Sequence, residues 1–452
     1  MPTTQSPRKV QALAAVLVMA TPCLAAGAPE ARRPNIIVML IDDLGYGDVG
    51  AFGCPDIPTP HIDALARDGV RCLNGYTLMP VCSPSRAGLM TGLYPQRFRV
   101  NGNLNRGEPI PADHPTLAEC LRDAGYITGM VGRWDLGDAR QGPLDRGFCE
   151  VARRPPGKPR VPGSPTYLGK DGTYWTEIQG GEVADFIERH QQERFFLYFA
   201  PLAVHSPVED VPAKYLERVP ASIGGPRKYL AGTLIALDDA IGKCLTQLRE
   251  SGLENNTLIF LVGDNGGWER DGARNDPWRG GKATNWNGAV HEAYIARWTG
   301  TLPAGKEFAG LLSTLDIYAT AAVAAGAKRA ANLDGVDILP YLLGQKTGDP
   351  HEALFWRWLD FPQDPLRAVR SGPWRLRLGK TDQLYNLADD PGETKDLASE
   401  NPEMIASLKA MFSRWEQSLP PPIAGAKRNA KPQSGPPSGR GWAIGTREHP
   451  GP

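Results

Sequence analysis

Cys82, Pro84 and Arg86 lie within five residues, in the run Val81-Cys82-Ser83-Pro84-Ser85-Arg86-Ala87-Gly88-Leu89-Met90-Thr91-Gly92. Pro84 suits the first turn of a helix, where the N–H it lacks would have no partner in any case. Ser85 to Met90 can continue that helix, which puts Cys82 at its N-terminus. Free N–H groups and the helix dipole favour negative charge there. Arg86 adds a fixed charge that can hold an oxyanion through two donors. A sulfur nucleophile, an anion-friendly helix end and a guanidinium together suit the transfer of an anionic group. The same residues also fit a small buried cysteine ahead of an ordinary helix.

A second set of groups follows apolar, β-branched runs. Asn35 to Ile41 ends in Asp42-Asp43, and Thr257 to Val262 ends in Gly263-Asp264-Asn265. Adjacent acids at a buried strand end repel unless a cation neutralises them. Four hard oxygen donors with few histidines suit calcium or magnesium rather than zinc. Phe195 to Ala200 is followed by His205-Ser206-Pro207, and Tyr126 to Val131 by Gly132-Arg133-Trp134-Asp135. A lone histidine is more often structural than catalytic, so position has to decide its role.

The elements that must hold these groups read as α/β. Continuous apolar runs predict strands buried on both faces, covered by helices. Ligands of such sheets bind beyond the carboxyl ends of the strands. Helices are predicted over Pro60 to Asp68, Thr116 to Ala124, Glu182 to Gln191, Tyr229 to Ser251 and Ser313 to Ala325. On the fourth of these, Asp238 and Asp239 read as surface charge. After about Tyr341 the pattern changes to short strands, Ala353 to Trp358, Leu366 to Arg370, Trp374 to Leu378 and Gln383 to Leu387, closed by a helix over Asn401 to Ser418. No internal repeat is present.

The chain has 452 residues and balances 50 basic against 50 acidic side chains. That balance gives no long-range steering toward nucleic acid, so an anion site has to be local. Arg8 and Lys9, the apolar stretch Val10 to Ala20 and the small residues to Ala28 read as a secretory signal over residues 1–28. The apolar stretch is too short to span a bilayer. The expected product is exported, periplasmic or secreted, with no membrane span. Arg153 to Pro165 reads as a surface loop, and residues 420–452, rich in Pro, Gly and basic residues, as a mobile tail. Six cysteines follow the signal, too few for a disulfide scaffold and in no zinc spacing.

Cys82-x-Pro84-Ser85-Arg86 with Ala87-Gly88-Leu89-Met90-Thr91-Gly92 resembles the signature of the formylglycine-dependent sulfatases of the alkaline phosphatase superfamily, and family-like segments extend from about Arg33 to about Leu397. The resemblance implies an alkaline-phosphatase-like mixed sheet flanked by helices over 33–340 and a smaller antiparallel C-terminal subdomain over 341–419. It implies that Cys82 is oxidised to formylglycine by a formylglycine-generating enzyme, and that Asp42, Asp43, Asp264 and Asn265 hold a cation, calcium by family usage with magnesium as the other choice. It implies a sulfate ester as substrate, a sulfated carbohydrate above all, with Arg86, Arg133, Asp135, His205 and Lys282 around it. The family usually has Lys and His where Arg133 and Asp135 stand, and often Glu and Arg where Asn287 and His291 stand. Arg133 and Asp135 keep open the reading of a non-catalytic sulfate-binding relative; a phosphate or phosphonate ester hydrolase of the same superfamily is the other alternative, although such members generally use two metals with more His and Asp ligands than this sequence offers.

Overall fold

The computed structural model of the chain describes Met1 and residues 33–100, 102, 110–137, 142–152, 173–359 and 366–421. The expected signal segment, the Arg153 to Pro165 loop and the tail from residue 422 lie outside the described residues.

The apolar run Asn35–Ile41 forms β1, buried along its whole length. With β2 (Val70–Tyr76), β3 (Ile127–Gly132), β4 (Glu150–Val151), β5 (Phe195–Ala200), β6 (Thr257–Gly263), β7 (His291–Arg297) and β8 (Lys306–Ser313) it builds an eight-stranded sheet. The order is β4-β3-β5-β1-β6-β7-β2-β8. Every neighbouring pair is parallel except those of β7, which runs antiparallel to β6 and β2.

Side chains alternate across a strand, so β1 feeds two cores. Ile37, Met39 and Ile41 pack toward α1 (Pro60–Arg67), α4 (Trp175–Arg189) and α6 (Pro226–Glu250), with the short α5 (Ala213–Leu216) beside them. Ile36, Val38 and Leu40 pack toward α2 (Cys82–Thr91), α3 (Leu117–Asp123) and α7 (Leu315–Ala324). The mixed α/β sheet flanked by helices is the fold class expected from the sequence. Thr116 caps α3, in a reciprocal box with Glu119.

After α8 (Leu339–Leu342) comes a second, antiparallel sheet of β9 (Leu354–Trp358), β10 (Leu366–Ser371), β11 (Trp374–Arg377) and β12 (Gln383–Asn386), in the order β12-β11-β10-β9. Leu408, Phe412 and Trp415 of α9 (Pro402–Gln417) pack in its core. The small sheet grips the large one. Arg375 on β11 forms a buried ion pair with Glu393. Arg375 also donates to the Asn285 carbonyl at 2.9 Å, and Glu393 accepts from the Asn287 amide at 2.7 Å.

Two sequence expectations need correction. Asp238 is not surface charge. It is buried on α6 and accepts from the amides of His61 and Ile62, the latter at 2.8 Å, so it caps α1 from another helix. Burial pushes its carboxyl up to about 6. And α4 begins at Trp175, well before the predicted start at Glu182. Asp239 is half-exposed and pairs with Arg218.

Candidate active site

β3, β5, β1 and β6 are consecutive and parallel, so their carboxyl ends share one edge of the sheet. That edge receives Arg133 and Asp135 after β3, His205 after β5, Asp42 and Asp43 after β1, and Asp264 and Asn265 after β6. β2 runs in the same direction and leads through Thr77 to Val81, the residue before α2. Cys82 is therefore the first residue of its helix, at the site edge. The Ser85 hydroxyl secures the turn by donating to the carbonyls of Met79 and Val81, at 2.9 and 3.1 Å.

The turns are tight. Asp43, Asp135 and Ala283 have φ of 60°, 58° and 59°. Aspartate tolerates this left-handed region better than most residues, and such strain concentrates at functional sites. Gly132 precedes Arg133 with φ 115°, and a Cβ there would fall 1.9 Å from the Ala200 carbonyl oxygen. Only glycine lets β3 leave β5 in that direction.

Ion pairs knit the groups together. Arg133 Nη1 lies 2.5 Å from Asp42 Oδ2, and its Nη2 lies 3.1 Å from Asp135 Oδ2. Lys282 Nζ lies 2.6 Å from Asp43 Oδ2, and His205 Nε2 lies 3.8 Å from the same oxygen. The Cys82 thiol faces Asp42 Oδ1 at 3.4 Å, and Arg133 Nη1 approaches its sulfur at 3.8 Å. All ten site residues predicted from the sequence thus come together. Arg86 faces inward rather than toward an open side. It is fully buried, 2.7 Å from Asp264 Oδ2 and 3.0 Å from Asp42 Oδ2, and donates to the Arg133 carbonyl at 3.0 Å. Its geometry is that of a positioning group for the carboxylates.

The charges shape one another. Burial opposes ionisation of Asp42, but Arg133 and Arg86 outweigh it and hold its carboxyl far below the usual range. Asp264 is pushed up to about 7 by burial and then by the charge of Asp42, against the pull of Arg86. Burial, then Asp42 and Asp264, drive the Cys82 thiol well above its ordinary value. Burial works against the Lys282 ammonium, but Cys82 and Asp43 raise its pKa.

The donor set fits a hard divalent cation. Asn265 donates through Nδ2 to Asp43 Oδ1 at 2.8 Å, and its Oδ1 is buried without a hydrogen-bond partner. Such an oxygen is costly unless something binds it. Oxygen and sulfur atoms of Asp42, Asp43 and Cys82 and a nitrogen of His205 lie within 4.8 Å of one another.

Three participants escaped the sequence analysis. Thr77 donates from Oγ1 to the Asp264 carbonyl at 2.9 Å, from the end of an unassigned strand. Glu292 on β7 is buried beside Gly263 with neither carboxylate oxygen hydrogen-bonded, and burial, then Asp264 and Asp43, raise its pKa well above the usual range. Asp271 accepts from the Ser206 hydroxyl, next to His205. No local pattern marks any of the three. All six cysteines among the described residues are free thiols. No helix among them is long and apolar enough to cross a membrane.

Residues 34–327 match the Sulfatase family, and the chain belongs to it. It is a sulfuric ester hydrolase. N-acetylgalactosamine-6-sulfatase of Canis lupus familiaris is 32% identical, with 85% of each chain covered. Arylsulfatase A of Homo sapiens is 32% identical over 86% of this chain and 89% of its own. Among solved structures, Ps i-CgsB in complex with k-i-k-neocarrahexaose aligns with a TM-score of 0.80 at 30% identity, covering 86% of this chain and 94% of that one.

Proposed function

We propose that this sulfatase removes O-sulfate groups from a sulfated carbohydrate, with formylglycine made from Cys82 by a formylglycine-generating enzyme and a cation, calcium or magnesium, held by Asp42, Asp43, Asp264 and Asn265. The observation that carries the reading is the meeting of Cys82, the Asp42–Asp43 pair, Arg133, Lys282 and His205 at one sheet edge. The sugar relatives support the substrate class.

When present, formylglycine supplies a hydrated aldehyde hydroxyl as nucleophile and the cation supplies charge that holds sulfate oxygens. The remaining work falls to the chain's own side chains. Asp42, Asp43, Asp135 and Asp264 outnumber Arg86, Arg133 and Lys282 by one, so a divalent ion would still leave a surplus of positive charge for an anionic ester. Arg133 and Lys282 border Cys82 and offset charge developing on the transferring group. Lys282, an ammonium 2.6 Å from Asp43, and His205 are the two candidates for the acid. His205 Nδ1 lies 2.7 Å from the Ser206 carbonyl, so that nitrogen carries a hydrogen. In its cationic form Nε2 can then donate to the departing alcohol. Asp135, held by Arg133, accepts the proton when sulfate is expelled.

Purified protein from its native host is to be given defined sulfated saccharides, with released sulfate measured by ion chromatography and the Cys82 peptide by mass spectrometry. Sulfate release with an aldehyde or its hydrate at residue 82 is the expected result; turnover with only thiol there refutes the nucleophile. The Arg133–Asp135 pair, in place of the family's Lys and His, favours a second reading, a sulfate-binding chain without turnover. No release from any ester by formylglycine-bearing protein decides for it. Release from phosphate but not sulfate esters of one alcohol decides for the phosphoryl alternative. The N-terminal signal pattern supports export, to the periplasm or outside the cell.

A further inference from the structure

Four tryptophans sit on segments that run into the site, Trp134, Trp268, Trp278 and Trp286. Three are already used. Trp134 is buried, edge-on to Phe148 at 5.8 Å. Trp278 stacks on His291 at 4.0 Å with 19° between the planes. The guanidinium carbons of Arg279 and Arg377 lie 3.5 and 3.8 Å from the centre of the Trp286 ring. Two groups at that distance cannot share one face, so both faces of Trp286 are covered.

Trp268 differs. It is half-buried and immediately follows Asp264-Asn265-Gly266-Gly267. The Lys282 ammonium lies 4.9 Å from its ring centre and 2.6 Å from Asp43, so one side chain bridges the ring and the carboxylate cluster. Arg270, exposed, holds its guanidinium 5.9 Å from the same ring. We infer that Trp268 and Arg270 form a sugar subsite, in which the indole stacks on a pyranose ring beside the scissile sulfate and Arg270 pairs with a second anionic group of the same saccharide. The inference rests on the sulfatase reading above and narrows its substrate to saccharides bearing more than one anionic group.

The platform is built rather than incidental. A Cβ on Gly267 would meet the Gly45 Cα at 2.7 Å, so the backbone ahead of Trp268 is packed against the turn after β1. The Gly267 carbonyl accepts from the Lys282 amide at 3.2 Å. The Trp268 carbonyl accepts from the Asp271 amide at 2.9 Å, and the Asp271 carboxylate takes the Ser206 hydroxyl beside His205. An aromatic ring fixed this way loses little freedom when a sugar lands on it. Of the acids on the turn, Asp271 is engaged by Ser206 and Glu269 is exposed, so Arg270 is the group on this turn that reads an anion.

The test measures binding separately from turnover. Isothermal titration calorimetry on the full Cys82→Ala chain would use a monosulfated disaccharide and its disulfated counterpart. Trp268→Ala in that background is expected to weaken both by about tenfold, and Trp268→Phe to restore most of the loss. Arg270→Gln is expected to weaken the disulfated ligand by about tenfold and the monosulfated one by less than about twofold. Unchanged binding of both ligands in Trp268→Ala and Arg270→Gln overturns the subsite, as does a Cys82→Ala chain that binds neither saccharide. Failure of the unaltered chain to release sulfate, with binding as described, overturns the sulfatase reading and leaves the subsite standing.

Discussion

His291 is fully buried on β7, where the family often carries an arginine. Its Nε2 lies 2.8 Å from the Leu73 carbonyl, which can only accept, so Nε2 carries the hydrogen. Nδ1, 3.2 Å from Asn287 Nδ2, is then the acceptor of a neutral ring. Protonation would set two donors face to face, and burial depresses the pKa from 6.5 to about 3. The unfolded chain therefore takes up a proton as pH falls through 6.5 while the folded chain does not until near 3. Stability from this group is complete above 6.5 and lost as pH falls through that window. Integrating between the two values, the folded state loses about 2 kcal/mol from about pH 7.5 to about pH 5 on account of this histidine alone. The assay is urea unfolding of the full chain at both pH values, for wild type and His291→Gln. Glutamine keeps a donor for Leu73 and an acceptor for Asn287 but does not titrate. The wild-type loss should exceed that of the variant by about 2 kcal/mol. Parallel pH dependences would show that His291 is not held neutral, and the tautomer argument would fall with them.

The cation set gives a second test: Asp264→Ala and Asp43→Ala should each lose bound calcium or magnesium by elemental analysis and lose activity with it, and full metal content in both variants places the ion elsewhere. Asp135→Asn should slow turnover by roughly a hundredfold or more if Asp135 takes the final proton, with a burst of alcohol ahead of a stalled steady state. Asp135→His should keep or raise activity, while wild-type turnover in Asp135→Asn sends the proton to another group. Asp238→Ala removes the cap on α1 and should cost about 1–2 kcal/mol in urea unfolding with kcat retained; no change would mean that water replaces the carboxylate at no cost.

β1, β5 and β6 were readable from sequence because, past a polar first residue in β1 and β6, their side chains are apolar and both of their faces meet helices; β3 and the four short strands of the small sheet were readable as well. β7 is equally buried, but His291, Glu292 and Arg297 make it read as polar. Only long-range partners such as Leu73 and Glu254 settle those groups. β2 mixes buried and half-exposed positions, β8 passes from an exposed first half to a buried second half, and the register shifts where they pair, so neither carries a clean period. The residues at strand ends could be found because strand direction alone sends them to one edge. The inward turn of Arg86 could not, since it depends on Asp42 and Asp264 arriving from strands far apart in the chain. Asp238 misled for the same reason, as nothing near it announces the end of α1.

The Glu393 contact with the Asn287 amide joins positions 106 residues apart. Synthesis proceeds from the N-terminus, and chains fold in units as they emerge. By the time Lys282 has left the ribosome, every candidate catalytic and metal-binding residue has been made, yet the segment carrying Lys282 still lacks its anchors, Arg375 and Glu393. Competence therefore arrives late, with the small sheet. A gene product ending shortly before Glu393 would satisfy any census of active-site residues and still leave the loop of its lysine without the Glu393 anchor and without the ion pair that holds Arg375.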